Sequence, residues 1–186
     1  MIFNNPQDIC EFYIEKAVKP GDVVIDATVG NGNDTLKLSN AVGEDGCVFG
    51  FDIQKAALDA AKNQNYRYEN VVFINDSHAE LDRYVDKETS FAIFNLGYLP
   101  GGDHSIITKA ESTVEAIEKS MVLLKEDGVI LLVIYRGGDT GFSECEALLE
   151  YLKGIDYRKY TVLKFDYSNR PKNPPIVAVI EKKSVN

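Results

Sequence analysis

Tryptophan is absent from this chain of 186 residues, histidine and methionine occur twice each, and cysteine occurs three times. Cys10, Cys47 and Cys145 stand far apart with no C-x-x-C spacing, which gives neither a zinc site nor a disulfide framework. Reduced, mostly buried thiols are expected. Long hydrophobic runs are missing too: nothing approaches the ~20 apolar residues that a bilayer span requires. Met1-Ile2-Phe3-Asn4-Asn5-Pro6 lacks the basic start and apolar run of a signal peptide. A cytoplasmic protein with no membrane partner is expected. Positive charge is scarce: 20 Lys+Arg stand against 29 Asp+Glu, a net charge of −9. That balance argues against coating nucleic acid by general electrostatics, because such binding depends on Lys and Arg neutralising phosphates. The deficit is uneven. Residues 1–150 hold 12 basic against 26 acidic residues, whereas 151–186 hold 8 against 3. A local basic patch of Lys153, Arg158, Lys159, Lys164, Arg170 and Lys172 is one reading, and scattered surface lysines are the other.

What is present is enough apolar material, 45% of residues, to bury one sizeable core, so residues 1–186 are read as one domain. Asn5 and Pro6 suit the cap and first turn of a helix that presents Ile9, Phe12, Tyr13 and Ala17 on one face. Short apolar runs then recur: Val23 to Ile25, Val48 to Phe51, Val71 to Ile74, Phe91 to Phe94 and Val129 to Tyr135. They read as buried strands. Between them Gln54 to Lys62 and Thr108 to Leu124 have helical character, and this alternation predicts a largely parallel sheet. A helix over about Ser143 to Lys153 precedes two last strands, Tyr160 to Tyr167 and Ile176 to Glu181. Their connection is too short for a helical crossover, so they should pair antiparallel. The expected fold is α/β, a single Rossmann-like domain with a seven-stranded, mostly parallel sheet ending in an antiparallel hairpin.

The strongest local signal is Asp26-Ala27-Thr28-Val29-Gly30-Asn31-Gly32-Asn33-Asp34-Thr35, between the first strand and a helix. Gly30 and Gly32 allow a sharp turn and close approach to a ligand. Thr35 stands where a dinucleotide fingerprint wants a third glycine, which weakens a diphosphate reading. An acid before the glycines, Asp26, suits a cationic ligand such as S-adenosylmethionine, with its ammonium and sulfonium. Asp52, ending the second strand in Gly50-Phe51-Asp52-Ile53-Gln54, stands where a carboxylate accepts from both ribose hydroxyls of a nucleoside. Asn75-Asp76-Ser77-His78 follows the third strand, where adenine contacts are expected: Asp76 can accept from the amino group, with Ser77 and His78 completing the rim.

At the end of the fourth strand, Asn95-Leu96-Gly97-Tyr98-Leu99-Pro100-Gly101-Gly102-Asp103-His104 carries an Asn-x-x-Tyr frame. It resembles the Asn/Asp-Pro-Pro-Tyr motif of amino-directed methyltransferases, with both prolines replaced. In such enzymes the amide and a nearby carbonyl accept from the target NH group and the ring stacks on the base, roles that fall here to Asn95, Leu96 and Tyr98. A Gly/Pro turn with a packed tyrosine is the plainer reading. Tyr135 and Arg136 after the fifth strand, and Asn173 before the last, can border the same cleft, Arg136 against a phosphate and Tyr135 against a base. They can equally be loop or core residues.

Together these segments and the closing Asn173-Pro174-Pro175 resemble one family over essentially the whole chain: small class I methyltransferases long labelled ribosomal RNA methylases. Members are associated with methylation of tRNA 5-aminomethyl-2-thiouridine at the wobble uridine. Many relatives carry a Gly-His pair after the fifth strand, where Gly137-Gly138 stands here, so no role is carried over to that position. The resemblance implies S-adenosylmethionine as cofactor, S-adenosylhomocysteine as product, no metal, and Asp26, Asn31, Asn33, Asp52, Gln54, Ser77 and His78 around the cofactor. The implied partner is the anticodon region of tRNA, and a homodimer would supply further RNA-binding surface. Asp103 and His104, by sequence proximity alone, are candidates to relay the amine's proton to water. Other acceptors, ribosomal RNA or a small free amine, stay open, as do a cofactor-binding module without chemistry and an NAD-dependent enzyme.

Overall fold

The computed structural model describes residues 3–97, 108–136, 141–171 and 173–184. Helix α1, Pro6–Ala17, starts where Asn5 and Asp8 cap each other: the Asn5 side chain accepts from the Asp8 N–H at 3.2 Å, and Asp8 accepts from the Asn5 N–H at 3.1 Å. Such a reciprocal cap satisfies two N–H groups that no helix can pair internally. The helix buries Ile9, Cys10, Tyr13 and Ile14, a wider stripe than the expected Ile9, Phe12, Tyr13, Ala17 face. Phe12 and Ala17 pack at its margin, because α1 lies across several strands at once.

Strands β1 (Val23–Asp26), β2 (Cys47–Phe51), β3 (Val71–Ile74), β4 (Thr89–Asn95), β5 (Leu124–Ile134), β6 (Tyr160–Phe165) and β7 (Ile176–Lys182) form one sheet in the order β3-β2-β1-β4-β5-β7-β6. The first five are parallel, and β7 is antiparallel to both β5 and β6, as expected. The apolar run at β5 begins at Val129, but the strand begins five residues earlier, with Leu124 opposite Thr89. Hydrophobicity cannot reveal that start: Lys125 to Gly128 are polar or small, and Asp127 adopts φ 59 at a register shift.

Helices α2 (Asn33–Val42), α3 (Lys55–Lys62), α4 (Ala110–Leu123) and α5 (Gly141–Lys153) supply the crossovers, with one turn of 3-10 helix at His78–Arg83. Two core layers follow from side-chain alternation along the strands. Ile25, Ala92, Phe94, Ile130 and Leu132 face α4 and α5, while Val24, Phe91, Ile93, Leu131 and Val133 face α1 and α2. The strand order reverses at β1, whose neighbours β2 and β4 lead to opposite halves of the sheet. The carboxyl end of β1 therefore opens a crevice.

A buried polar clamp lies at the amino edge of the sheet, opposite that crevice. Asn70 accepts from the Ser39 hydroxyl at 2.6 Å and donates to the carbonyls of Ser39 and Gly43 at 2.9 and 2.7 Å, tying the end of α2 to the start of β3. Replacing it leaves the buried Ser39 hydroxyl without its acceptor and takes one of two donors from each of the Ser39 and Gly43 carbonyls, so Asn70→Ala should cost about 1–3 kcal/mol of stability. Urea denaturation checks this, and an unchanged midpoint would remove the clamp from the account.

Candidate functional site

Chain geometry at the crevice is set by how the loop after β1 satisfies its backbone. The Ala27 N–H donates to Ile93 of β4 at 2.9 Å, and the Val29 N–H to Phe51 of β2 at 3.0 Å. Two carboxylates take the next donors. Asp26 accepts from the Thr28 N–H at 3.1 Å and from the Thr35 hydroxyl at 2.6 Å, and Asp52 accepts from the Gly30 N–H at 2.9 Å and the Gln54 N–H at 2.8 Å. Gly32 donates back to Val29 at 2.8 Å. At φ 81 it turns the chain into α2, and a Cβ there would lie 2.8 Å from the Ala61 side chain, so the position demands glycine on both grounds. Asn31 and Asn33 are exposed on either side of it.

The second and third strands contribute as expected in position. Ile53, 55% exposed, follows Asp52, and Asn75 donates to the carbonyls of Asp52 and Ile53 at 2.9 and 3.1 Å. Asp76 accepts from the Tyr84 hydroxyl at 2.7 Å and the Ser77 N–H at 2.8 Å, bonds that hold its carboxyl below the usual carboxylate range. Ser77 caps the 3-10 turn through the Ala79 N–H at 3.2 Å. His78 is buried with Nδ1 3.2 Å from the Ala27 carbonyl. A carbonyl only accepts, so Nδ1 carries the proton and Nε2 is left a buried acceptor without a partner among the described residues. Burial, opposed by that carbonyl bond, pushes the imidazole's pKa down and keeps the ring neutral.

On the β4 side, the Asn95 N–H donates to the Thr28 hydroxyl at 2.7 Å, and Asn95 Nδ2 lies 3.4 Å from Asp34 Oδ2. Gly97 and Thr108 pinch the following segment with two bonds, Gly97 N–H to the Thr108 hydroxyl at 3.1 Å and Thr108 N–H to the Gly97 carbonyl at 3.3 Å. Tyr98, Asp103 and His104 lie between them, outside the described residues. Tyr135, 48% exposed, sets its ring 3.7 Å from where a Gly97 Cβ would stand. Arg136 donates to Asp166 at 2.8 and 3.2 Å and to the Pro174 carbonyl at 2.9 and 3.2 Å, bracing the β6–β7 connection. Asn173, in that connection, is exposed at φ 44.

Sequence reasoning passed over four groups that hold the loop. Thr28 and Asp34 stand inside the glycine motif but carry no signal of their own. Gln7 donates to Asp34 at 2.7 Å from α1, and Gln64 donates to the Asn31 carbonyl at 2.9 Å. Both are distant in sequence and visible only once the chain is folded.

The electrostatics follow from burial. Asp26 is 1% exposed, and its pKa is pushed up to about 7 by desolvation first and then by the charges of Asp34 and Asp52, against the pull of the Thr35 and Thr28 bonds. In the unfolded chain the same carboxyl ionises near its ordinary value of 3.8. Between these values the unfolded state releases a proton that the folded state keeps, so Asp26 lowers stability progressively as pH rises from about 4 to about 7. Asp26→Asn should remove that slope and be the more stable protein at pH 8 in the absence of ligand. Parallel urea titrations of the two proteins from pH 4 to 8 would refute this if their midpoints kept a constant difference.

The family model described as "Putative rRNA methylase" matches residues 48–181. A chloroplastic tRNA (mnm(5)s(2)U34)-methyltransferase of Arabidopsis thaliana is 34% identical, with 91% of this chain and 67% of that protein covered. Among solved structures, one described as a "putative rRNA-methylase" of Clostridium thermocellum is 47% identical with a TM-score of 0.94, covering 98% of this chain and 100% of that one. One described as "a putative methyltransferase" of Streptococcus mutans in complex with S-adenosylhomocysteine is 32% identical with a TM-score of 0.86, covering 98% of this chain and 99% of that one.

Proposed function

This chain belongs to the rRNA methylase family and is an S-adenosylmethionine-dependent methyltransferase, and we propose that its acceptor is the exocyclic amine of 5-aminomethyl-2-thiouridine at the tRNA wobble position. The observation that carries the cofactor assignment is the commitment of the loop donors. The N–H groups of Thr28, Gly30 and Gly32 are already bonded to Asp26, Asp52 and Val29, so these three are not offered to a diphosphate. It offers negative charge instead, from Asp52 at the crevice and from Asp26 beneath the loop. That donor set fits a ligand with an ammonium, a sulfonium and ribose hydroxyls.

In this reading Asp52 and Gln54 hold the ribose, and Asp76, Ser77 and His78 border the adenine. Gly30, Asn31, Gly32 and Asn33 line the aminoacyl end, where Asp26 supplies charge. An ammonium near Asp26 favours its ionised form, offsetting the desolvation that raises its pKa. S-adenosylmethionine supplies a methyl group already activated by positive sulfur. The protein's task is then alignment, holding the amine nitrogen roughly 3 to 3.5 Å from that carbon. Asn95 and the Leu96 carbonyl accept N–H bonds from the amine, Tyr98 stacks on the base, and Asp103 or His104 passes the ammonium's proton to water. The nitrogen lone pair forms the new C–N bond as the C–S bond breaks with its electrons going to sulfur, and the positive charge moves to nitrogen. Products are S-adenosylhomocysteine and a methylaminomethyl nucleoside.

The acceptor assignment draws on the Arabidopsis relative and on the position of Asn95 at the carboxyl end of β4, beside the crevice. The anticodon region of tRNA is the proposed partner, with Tyr135 and Asn173 on the flank where the RNA would lie, and the cytoplasm the proposed compartment. Residues 1–186 are proposed to act as one catalytic domain.

The deciding assay incubates the protein with labelled S-adenosylmethionine and tRNA bearing aminomethyl-thiouridine, then identifies nucleosides by mass spectrometry. A methylaminomethyl product is expected. Cofactor binding with no methylated tRNA nucleoside would refute the acceptor. Asp52→Ala should weaken cofactor affinity by about tenfold or more, since charge-assisted hydrogen bonds contribute ~1.5–3 kcal/mol each; an unchanged isotherm would reject its ribose role. Tyr98→Ala should lose turnover while binding cofactor normally, and undiminished turnover would remove Tyr98 from stacking.

A further inference from the structure

A carboxamide presents its acceptor in one of two directions, since a half-turn of its terminal torsion exchanges oxygen and nitrogen. Which way Asn95 points therefore decides whether it can accept from a target amine at all. Its main chain is pinned by the bond from its N–H to the Thr28 hydroxyl, and its Nδ2 lies 3.4 Å from Asp34 Oδ2. A carboxylate has only acceptors to offer, so the reversed amide would set oxygen against oxygen. Asp34 is itself held in place. It is 8% exposed, its Oδ1 accepts from Gln7 at 2.7 Å, Lys37 Nζ stands 3.9 Å from the same oxygen, and it lies in the first turn of α2, where the helix dipole favours negative charge.

We propose that Asp34 is a positioning residue for methyl transfer: by accepting from Asn95 Nδ2 it turns Asn95 Oδ1 away from itself, toward an N–H of the target amine. The inference rests on the reading above, in which Asn95 meets that amine. It adds a selection rule, because an oxygen acceptor so fixed favours substrates that bring an N–H and disfavours nitrogen nucleophiles that bring none. It also adds a reason for the acid. As the C–N bond forms and the C–S bond breaks, positive charge arrives on the nitrogen and its N–H groups become stronger donors. The bond to Oδ1 strengthens in the transition state, and Asp34 behind the amide polarises Oδ1 in the favourable sense.

Exchanging the two side chains tests this. In Asp34→Asn, the new amide can donate to Asn95, whose Oδ1 then turns inward, and turnover should fall about tenfold or more with cofactor affinity little changed. In Asn95→Asp, two carboxyl groups face each other, and turnover should fall similarly. The double variant restores one donor and one acceptor across the contact, keeps an oxygen at position 34 for Gln7, and leaves a carboxylate oxygen for the amine. It should recover about tenfold or more over the product of the single losses, the scale expected of directly coupled residues. A readout without substrate is the Asn95 side-chain amide resonance in the free protein, assigned by its loss in Asn95→Asp, which should shift in Asp34→Asn. Active wild-type protein whose single losses simply multiply, or an unmoved amide resonance, would overturn the positioning role. Wild-type protein that leaves aminomethyl-thiouridine unmethylated overturns the functional reading and this inference with it.

Discussion

A carboxylate buried under a tight loop is the constraint from which the rest of the crevice follows. Asp26 ends the strand at which the sheet changes direction, and it is almost wholly removed from water. Left alone there it would be costly, so the loop above it is folded to supply a hydroxyl from Thr35 and an N–H from Thr28. Those two bonds place the start of α2, and with it Asp34. Gly30 and Gly32 are the residues whose backbone can make the turn, at φ 51 and φ 81. Asp52 then fastens the loop to β2 through Gly30, and Thr28 fastens it to β4 through Asn95. One loop thereby couples three strands at their carboxyl ends.

Much of the architecture could be read from residues in order. The cap at Asn5 and Pro6, five parallel strands from apolar runs, and the antiparallel closure from a connection too short for a helix all depend on local chemistry. β5 is the exception: of its first five residues Leu124 pairs with β4 and the next four lie at a register shift, a backbone geometry that polar side chains do not announce. The 3-10 turn after β3 is another case, since His78–Arg83 has no helical apolar period and is held by the Ser77 cap. In the site, Asp26, Asp52 and Ser77 stood out by type and place. Thr28, Asp34, Gln7 and Gln64 did not, because each works on a partner between 27 and 67 residues away in sequence. By its place in the sequence Arg136 can meet a phosphate or serve a loop equally well. The fold supplies Asp166 and a carbonyl as its partners, and neither is near it in sequence.

The polar groups of the site are thus arranged in two tiers. Asp52, Asn95 and Tyr135 stand beside the crevice, and His78 Nε2 has no hydrogen-bond partner among the described residues. Behind them Gln7, Asp34, Thr35 and Tyr84 hold orientations. The second tier draws on α1 and the turn after β3 as well as the glycine loop, so elements far from any ligand still govern its geometry.

Because β7 runs against its neighbours, β6 ends and β7 begins at the same edge of the sheet as the crevice. The connection between them, from Asp166 to Pro175, is therefore a flank of the site that no core strand depends on for its register, braced near both ends by Arg136. Residues added to or removed from it alter the reach and charge of the surface offered to a polyanion while the cofactor crevice stays as it is. It is the part of this edge that can lengthen without disturbing the glycine loop.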